Sequence, residues 1–240
     1  MTVKELRYLV DDLDEYIHIP GGIERLKKTI LQLAVSGQLV LQDPTEGTGE
    51  ELYQQIQAEK AKLIKDGKLK KQKPLPEITE SEIPFEIPKS WKWVRLPDLY
   101  NSVIPITKVK TSDILESGAL PVIDQGQRYI AGYVNRGELN KIDKPVVIFG
   151  DHTREIKIID FDFVVGADGV KILEPIVLDS AFFYILVEVF RPQSRGYGRH
   201  FKMLNDKIVS LPPMDEQKRI VEKTSQLLNS VTKLEFCLEK

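Results

Sequence analysis

"VVIFGDHTREIKIIDFDFVVGADGVKIL", Val146 to Leu173, decides the fold class of this chain. Runs of valine, isoleucine and phenylalanine are interrupted at Gly150-Asp151, at Asp160 and Asp162, and across Gly166 to Gly169. Short β-branched and aromatic runs bounded by glycine and aspartate are what strands and their turns require. The same texture continues outward on both sides, in "KWVRL", "LPVID" and "AFFYILVEVF". The last of these, residues 181–190, is an apolar block broken only by Glu188, and periodicity leaves it open between a buried helix and a strand. Ile83 to Pro213 therefore reads as one mixed α/β domain of about 130 residues.

Two polar tips inside this domain carry candidate binding residues. In "FGDHTREIK", a strand ends at Gly150, and His152, Thr153 and Arg154 are placed to meet base edges or phosphates. Asp151 and Thr153 equally suit closure of the turn by side-chain-to-backbone hydrogen bonds. In "DQGQRYIAGY", Gln125, Gln127, Arg128 and Tyr129 fall on a strand-to-strand loop. Glutamine matches adenine and arginine matches guanine in bidentate fashion, although both are also ordinary surface residues. A third stretch, "RPQSRGYGRHFK" from Arg191 to Lys202, holds three arginines and a lysine with no acid. Such a cluster repels itself unless an anion neutralises it, and Gly196 and Gly198 allow close backbone approach. Arg195, Tyr197, Arg199, His200 and Lys202 are accordingly candidate DNA contacts. Their place just before "LPP" suits a clamp on phosphates, leaving more of the base reading to 125–129 and 152–154.

The chain ends are helical. Residues 3–17 read as a short helix broken by "IPGG". Next, Ile23, Leu26, Ile30 and Leu33 recur at steps of 3, 4 and 3, one apolar stripe on a helix that Gly37 stops. A second helix is expected over 49–66, followed by "KDGKLKKQKPLP". Its lysines read as a solvated, mobile linker, with phosphate contact as the alternative. At the other end, Ile220, Thr224, Leu227, Val231, Leu234 and Leu238 recur at steps of 4, 3, 4, 3 and 4, a heptad seam. The two stripes can pair with each other, or either can serve as core. The expected segments are 1–47 (helical arm), 48–82 (helix and linker), 83–213 (mixed α/β domain) and 214–240 (C-terminal helix).

Charge is unevenly placed. Residues 1–60 hold 6 Lys/Arg against 11 Asp/Glu, whereas 83–213 hold 17 against 16. The net charge of −2 thus reflects an acidic arm and leaves nucleic acid open as a partner of the central domain. Cys237 is the single cysteine and His18, His152 and His200 are scattered, which argues against a disulfide or a structural metal. With no long apolar run and no leader-like start, the composition reads as a soluble cytoplasmic protein.

Phosphate-binding, dinucleotide, nucleophile-elbow and zincin motifs are lacking, as is the Asn/Asp-Pro-Pro-aromatic tetrapeptide of DNA amino-methyltransferases. One loose match remains. Asp143, Glu155 and Lys157 imitate the D…E-x-K spacing of Mg²⁺-dependent nucleases, with two carboxylates for the metal and a lysine for the water. A chain with 29% charged residues produces such a match by chance, so a strand edge is the competing reading.

The order of segments resembles the specificity subunit of type I restriction–modification systems. "LKKTILQLAVSGQLVLQDP", "EELYQQIQAEKAKLIKDGKLKK" and "EIPFEIPKSWKWVRLPDL" carry the resemblance, with "VVIFGDHTREIKIIDFDFVVGADGVKIL", "GYGRHFK" and "LPPMDEQKRIVEK". It implies a target-recognition domain beginning near Pro88, Trp91 and Trp93 and ending at Leu211-Pro212-Pro213, flanked by helices forming a coiled-coil-like spacer. It implies a non-catalytic subunit that reads one half of a bipartite site in double-stranded DNA and docks methyltransferase (modification) subunits. S-adenosylmethionine would then belong to those subunits, and ATP and Mg²⁺ to the restriction/translocase subunit, with none held by this chain. A full subunit of that family carries two recognition domains; here there is one, so a half-subunit or a truncated chain is expected, and the uncapped end at Lys240 favours truncation. A half-subunit implies a homodimer through Ile23, Leu26, Ile30, Leu33, Ile220, Leu227, Val231 and Leu234, and a palindromic split site. An assembly scaffold without DNA contact is the remaining alternative.

Overall fold

The computed structural model describes Ile17 and residues 19–71, 73–166, 168–194, 196 and 198–238. The helix expected over 3–17 lies outside these residues apart from Ile17. The described chain forms two compact units: residues up to Tyr53 with Thr79–Trp93 and Ser210 onward, and Gln54–Ile78 with Val94–Val209. This division differs from the expected segments at both ends of the sheet domain and in the linker, with 210–213 also falling in the first unit. Residues 83–93 belong with the terminal helices, and the lysine-rich stretch belongs with the sheet domain.

In the first unit, α1 (Gly22–Ser36) ends at Gly37, whose φ of 73° lets its N–H return to the Leu33 carbonyl. Glycine is needed there twice over, because a Cβ would also lie 2.3 Å from Pro88 Cγ. Helix α2 (Gly49–Lys65) follows, close to the span expected, and from Gln54 onward it belongs to the second unit. The C-terminal helix of the described residues, α5 (Met214–Leu238), packs along α1. Ile30, Leu33, Ile220, Thr224 and Val231 are buried, and Lys27 bridges to Glu235 at 2.8 Å. The two apolar stripes therefore meet within one chain. Within this chain Ile30, Leu33, Ile220 and Val231 are buried by that packing, while Ile23, Leu26, Leu227 and Leu234 stay half-buried.

Trp91 ties this unit together. Its indole N–H donates to Glu216 Oε2 at 2.9 Å, and Gln42 Nε2 donates to Glu216 Oε1 at 2.6 Å. Burial, opposed by those two hydrogen bonds, holds the Glu216 carboxyl above its usual range. Arg219 grips Glu46 with two bonds, of 2.8 and 2.5 Å.

The second unit carries the larger sheets. Strands β1 (Lys92–Arg95) and β9 (Ile208–Leu211) pair separately. A four-stranded antiparallel sheet runs β2 (Tyr100–Val103), β8 (Val170–Pro175), β5 (Val146–Gly150), β6 (Ile156–Ile159). A three-stranded sheet runs β4 (Gly132–Val134), β3 (Leu120–Ile123), β7 (Val164–Val165), with β3 and β7 parallel. Every residue of β5 is buried, which explains its unbroken apolar run. Val146 and Ile148 join Ile123, Phe163 and Val165 in one cluster, while α3 (Ser180–Val189) packs on β5 and β6.

The open choice at 181–190 resolves to helix. Asp179 Oδ1 accepts the N–H groups of Ala181 and Phe182, both at 2.9 Å, so a capped start settles what periodicity could not. A short helix, α4 (Phe201–Asn205), precedes β9. Among the described residues no helix is long and apolar enough to cross a membrane.

Candidate nucleic-acid interface

Three strand ends define one edge of the sheet domain. β3 and β7 run parallel, so the loop after Ile123 and the turn after Val165 emerge together. Gly150, the last residue of β5, pairs with Val170, the first of β8, which brings residues 151–155 to the same edge. The 198–202 segment joins them: His200 N–H donates to the Asp151 carbonyl at 2.9 Å, and Phe201 N–H to Asp151 Oδ1 at 2.8 Å. All three stretches singled out in the sequence thus converge.

Asp151 and Lys157 hold this convergence. Asp151 is buried; its own N–H donates to the Gly169 carbonyl at 2.8 Å, and Lys171 Nζ lies 3.8 Å from its carboxylate. Lys157, also buried, donates to the carbonyls of Asp124 (2.9 Å) and Arg128 (2.6 Å) and approaches Asp124 Oδ1 at 3.4 Å. One ammonium thereby clamps both ends of the 124–128 loop. Burial pulls its pKa down, while Asp124 opposes the shift. Two glycines let the loops approach. A Cβ at Gly150 would sit 2.2 Å from Thr153 Oγ1, and one at Gly169, where φ is 93°, would sit 2.6 Å from Gln125 Oε1.

Six of the ten candidate side chains among the described residues bind protein. Gln125 accepts from His152 N–H at 3.1 Å and donates to the Asp168 carbonyl at 3.0 Å. Thr153 Oγ1 donates to the Gln125 carbonyl at 2.6 Å. Tyr129, half exposed, donates its hydroxyl to the Ile158 carbonyl at 2.6 Å. His152 Nδ1 lies 3.2 Å from the Gly198 carbonyl, and Arg154, at a left-handed φ of 63°, reaches the Pro192 carbonyl at 3.3 Å. His200 is 1% exposed with Nδ1 on the Asp151 carbonyl, so its side chain is closed to a duplex and serves the scaffold. Arg195 and Tyr197 lie outside the described residues.

Four candidates remain available. Gln127, Arg128, Arg199 and Lys202 are exposed, and none of their side chains has a partner among the described residues. Arg128 lines an open depression of about 410 Å³ with Asp124, Ile130 and Tyr133. The self-repulsion expected of the arginine cluster is smaller than its composition implied, because Arg191 pairs with Glu188 at 2.5 Å, three residues upstream.

The nuclease arrangement is not assembled. The β5–β6 register runs from Val146↔Ile159 to Phe149↔Ile156, which puts Asp143 beyond one end of the ladder and Glu155 beyond the other. Lys157 is already occupied by carbonyls, and the described residues contain no cluster of metal-ligating side chains.

Asp151, Lys157, Gly150 and Gly169 are the organising residues that sequence reasoning missed or left as turn formers. A signal was present for the lysine. "IKII" places one ammonium inside an apolar strand, where it must find buried acceptors.

Loops tied by buried polar groups to the edge of a rigid sheet, with free cations displayed at the rim, define a surface-recognition domain. Residues 88–236 match the family described as type I restriction modification DNA specificity domain, and the chain belongs to that family. The EcoAI type I restriction enzyme specificity subunit of Escherichia coli is 29% identical over 95% of this chain and 44% of its own length. The EcoEI specificity subunit of the same organism is 31% identical over 89% of this chain and 40% of its own. The chain thus spans less than half the length of these curated relatives. A solved chain from work on complex assembly and conformational transition of the type I R-M system superposes with a TM-score of 0.52 at 18% identity. The match covers 94% of this chain and 54% of that one, a likeness of fold.

Proposed function

We propose that this chain is a non-catalytic DNA-recognition subunit of a type I restriction–modification complex. It reads one half of a bipartite site in double-stranded DNA and docks methyltransferase subunits. The observation that carries this reading is the convergence of the 124–129, 150–155 and 198–202 segments around Asp151 and Lys157, with Gln127, Arg128, Arg199 and Lys202 left free. Free glutamine and arginine on a pinned loop supply base-edge hydrogen bonds, and free cations at the margin supply phosphate contacts. S-adenosylmethionine enters with the methyltransferase subunits, and ATP and Mg²⁺ with the restriction subunit.

The test is a methylation map of DNA from a host expressing this chain with the methyltransferase subunits of its own system. A recurrent split motif, abolished when Gln127 and Arg128 are replaced by alanine, is expected. Methylation that does not depend on this chain would overturn the reading.

A further inference from the structure

Residues 65–73, "KDGKLKKQK", hold five lysines against one aspartate. The composition suggests a solvated linker, but the segment is pinned. After α2, Gly67 turns the chain with φ 70°, and the N–H groups of Lys68 and Leu69 return to the Leu63 carbonyl at 2.9 and 3.1 Å. Leu69 is buried between the lysines. Further on, Arg95 Nε and Nη2 hold the carbonyls of Pro76 and Glu77, both at 3.0 Å. The chain is thus held just before Lys70 and just after Lys73.

The strap borders a groove of about 250 Å³ against α2, lined by Lys70, Lys71, Lys73, Gln57 and Lys60 among others. Lys60 is neutralised by Asp98 at 2.8 Å. Lys70, Lys71 and Lys73 are exposed and make no ion pair among the described residues. Gln57 lines the same groove, and its Nε2 is buried with no hydrogen-bond partner among the described residues. Ammonium groups around a fixed amide donor suit the anionic oxygens of a phosphodiester. Packed elements connect the groove's lining to the recognition edge. Asp98 ends the 3-10 turn Leu96–Asp98, that turn packs on α4, and α4 carries Lys202 and is tied to Asp151 through Phe201.

We propose that Lys70, Lys71 and Lys73 form a strap that is a second clamp on the phosphate backbone of the same duplex, outside the base-reading loops; this rests on the DNA-recognition function proposed for the chain. The strap adds affinity and no base preference. The test uses the full chain and duplex DNA across a salt series, comparing the native protein, K70A/K71A/K73A, Gln57→Leu and R199A/K202A. The triple variant is expected to flatten the log–log salt slope by about 0.9 for each phosphate it no longer neutralises. For three phosphates, the fall in affinity between 50 and 200 mM salt then shrinks about 40-fold. Gln57→Leu weakens binding without changing the slope, since it removes no charge. An unchanged slope in the triple variant, with a reduced one in R199A/K202A, overturns the strap and leaves the recognition function standing. Unchanged DNA binding with loss of methyltransferase-subunit binding assigns the lysines to a protein partner and also overturns it. A full chain that binds no duplex at any salt overturns both.

Discussion

Lys157 donates its ammonium to the Arg128 carbonyl at 2.6 Å and, four residues earlier in that loop, to the Asp124 carbonyl at 2.9 Å. The side chain is 5% exposed, so these bonds form where water cannot replace them. The lysine that resembled a water activator is a loop clamp. Lys157→Met keeps the apolar stem and removes the donor. Each carbonyl left unsatisfied costs about 1–3 kcal/mol of stability, and the loop bearing Gln127 and Arg128 loses its fixed position. Sequence preference for DNA is expected to collapse while non-specific affinity changes little, measured by competition between a selected duplex and random duplex. Retained preference in a folded variant would show that the clamp does not position the readers.

Asp151 caps α4 from another part of the chain, through its carboxylate on Phe201 N–H. Asp151→Asn keeps an acceptor and is expected to be mild. Asp151→Ala should cost about 1–2 kcal/mol, in the range found when a helix cap is removed. Hydrogen exchange at the Phe201 amide checks the assignment: protection falls in the alanine variant and is largely kept in the asparagine one.

Arg199 and Lys202 lie at the margin of the loop cluster with no partner among the described residues. Replacing both with alanine should weaken binding to every duplex and lower the salt slope by about 0.9 for each phosphate left without its cation. The preferred sequence should stay the same. A changed base preference would move these two residues from positioning to reading.

Glu216 gives a pH dependence with a definite sign. Burial is the main cause that raises its folded pKa above the ordinary 4.5, against the hydrogen bonds from Trp91 and Gln42. The folded state then holds a proton that the unfolded state releases. Its stabilising contribution is full below about pH 4.5 and is lost as pH rises through the raised folded value. Glu216→Gln removes this titration. The stability of the native protein relative to the variant should therefore fall as pH rises from about 4 to 7, read from urea unfolding at each pH. A constant difference would contradict the assignment.

The sheet domain was legible because its signals are local. "PVVIFG", "IKII" and "VKIL" are strands bounded by turn residues, and Gly37 is a helix stop that its φ requires. The three loops were legible as polar tips between those strands. What each side chain does there was not, because Gln125 and Thr153 bond partners more than 25 residues away. No local pattern distinguishes a glutamine that ties two loops from one that meets a base. The apolar stripes were readable as stripes, and their union within one chain depends on how α1 and α5 are brought together. The lysine strap was hidden because one leucine, Leu69, anchors it against composition that otherwise reads as solvated.

Pinned loops present Gln127 and Arg128 to base edges, in the function proposed for this chain, and other cations only position the duplex. Sequencing the duplexes that the full chain retains from a randomised pool separates these roles, for the native protein, Q127A, R128A and R199A/K202A. The native protein is expected to select one half-site motif. Q127A and R128A should each lose preference at particular positions, and R199A/K202A should give lower yield with an unaltered motif. A motif that survives both Q127A and R128A unchanged would contradict the assignment of these two side chains as readers.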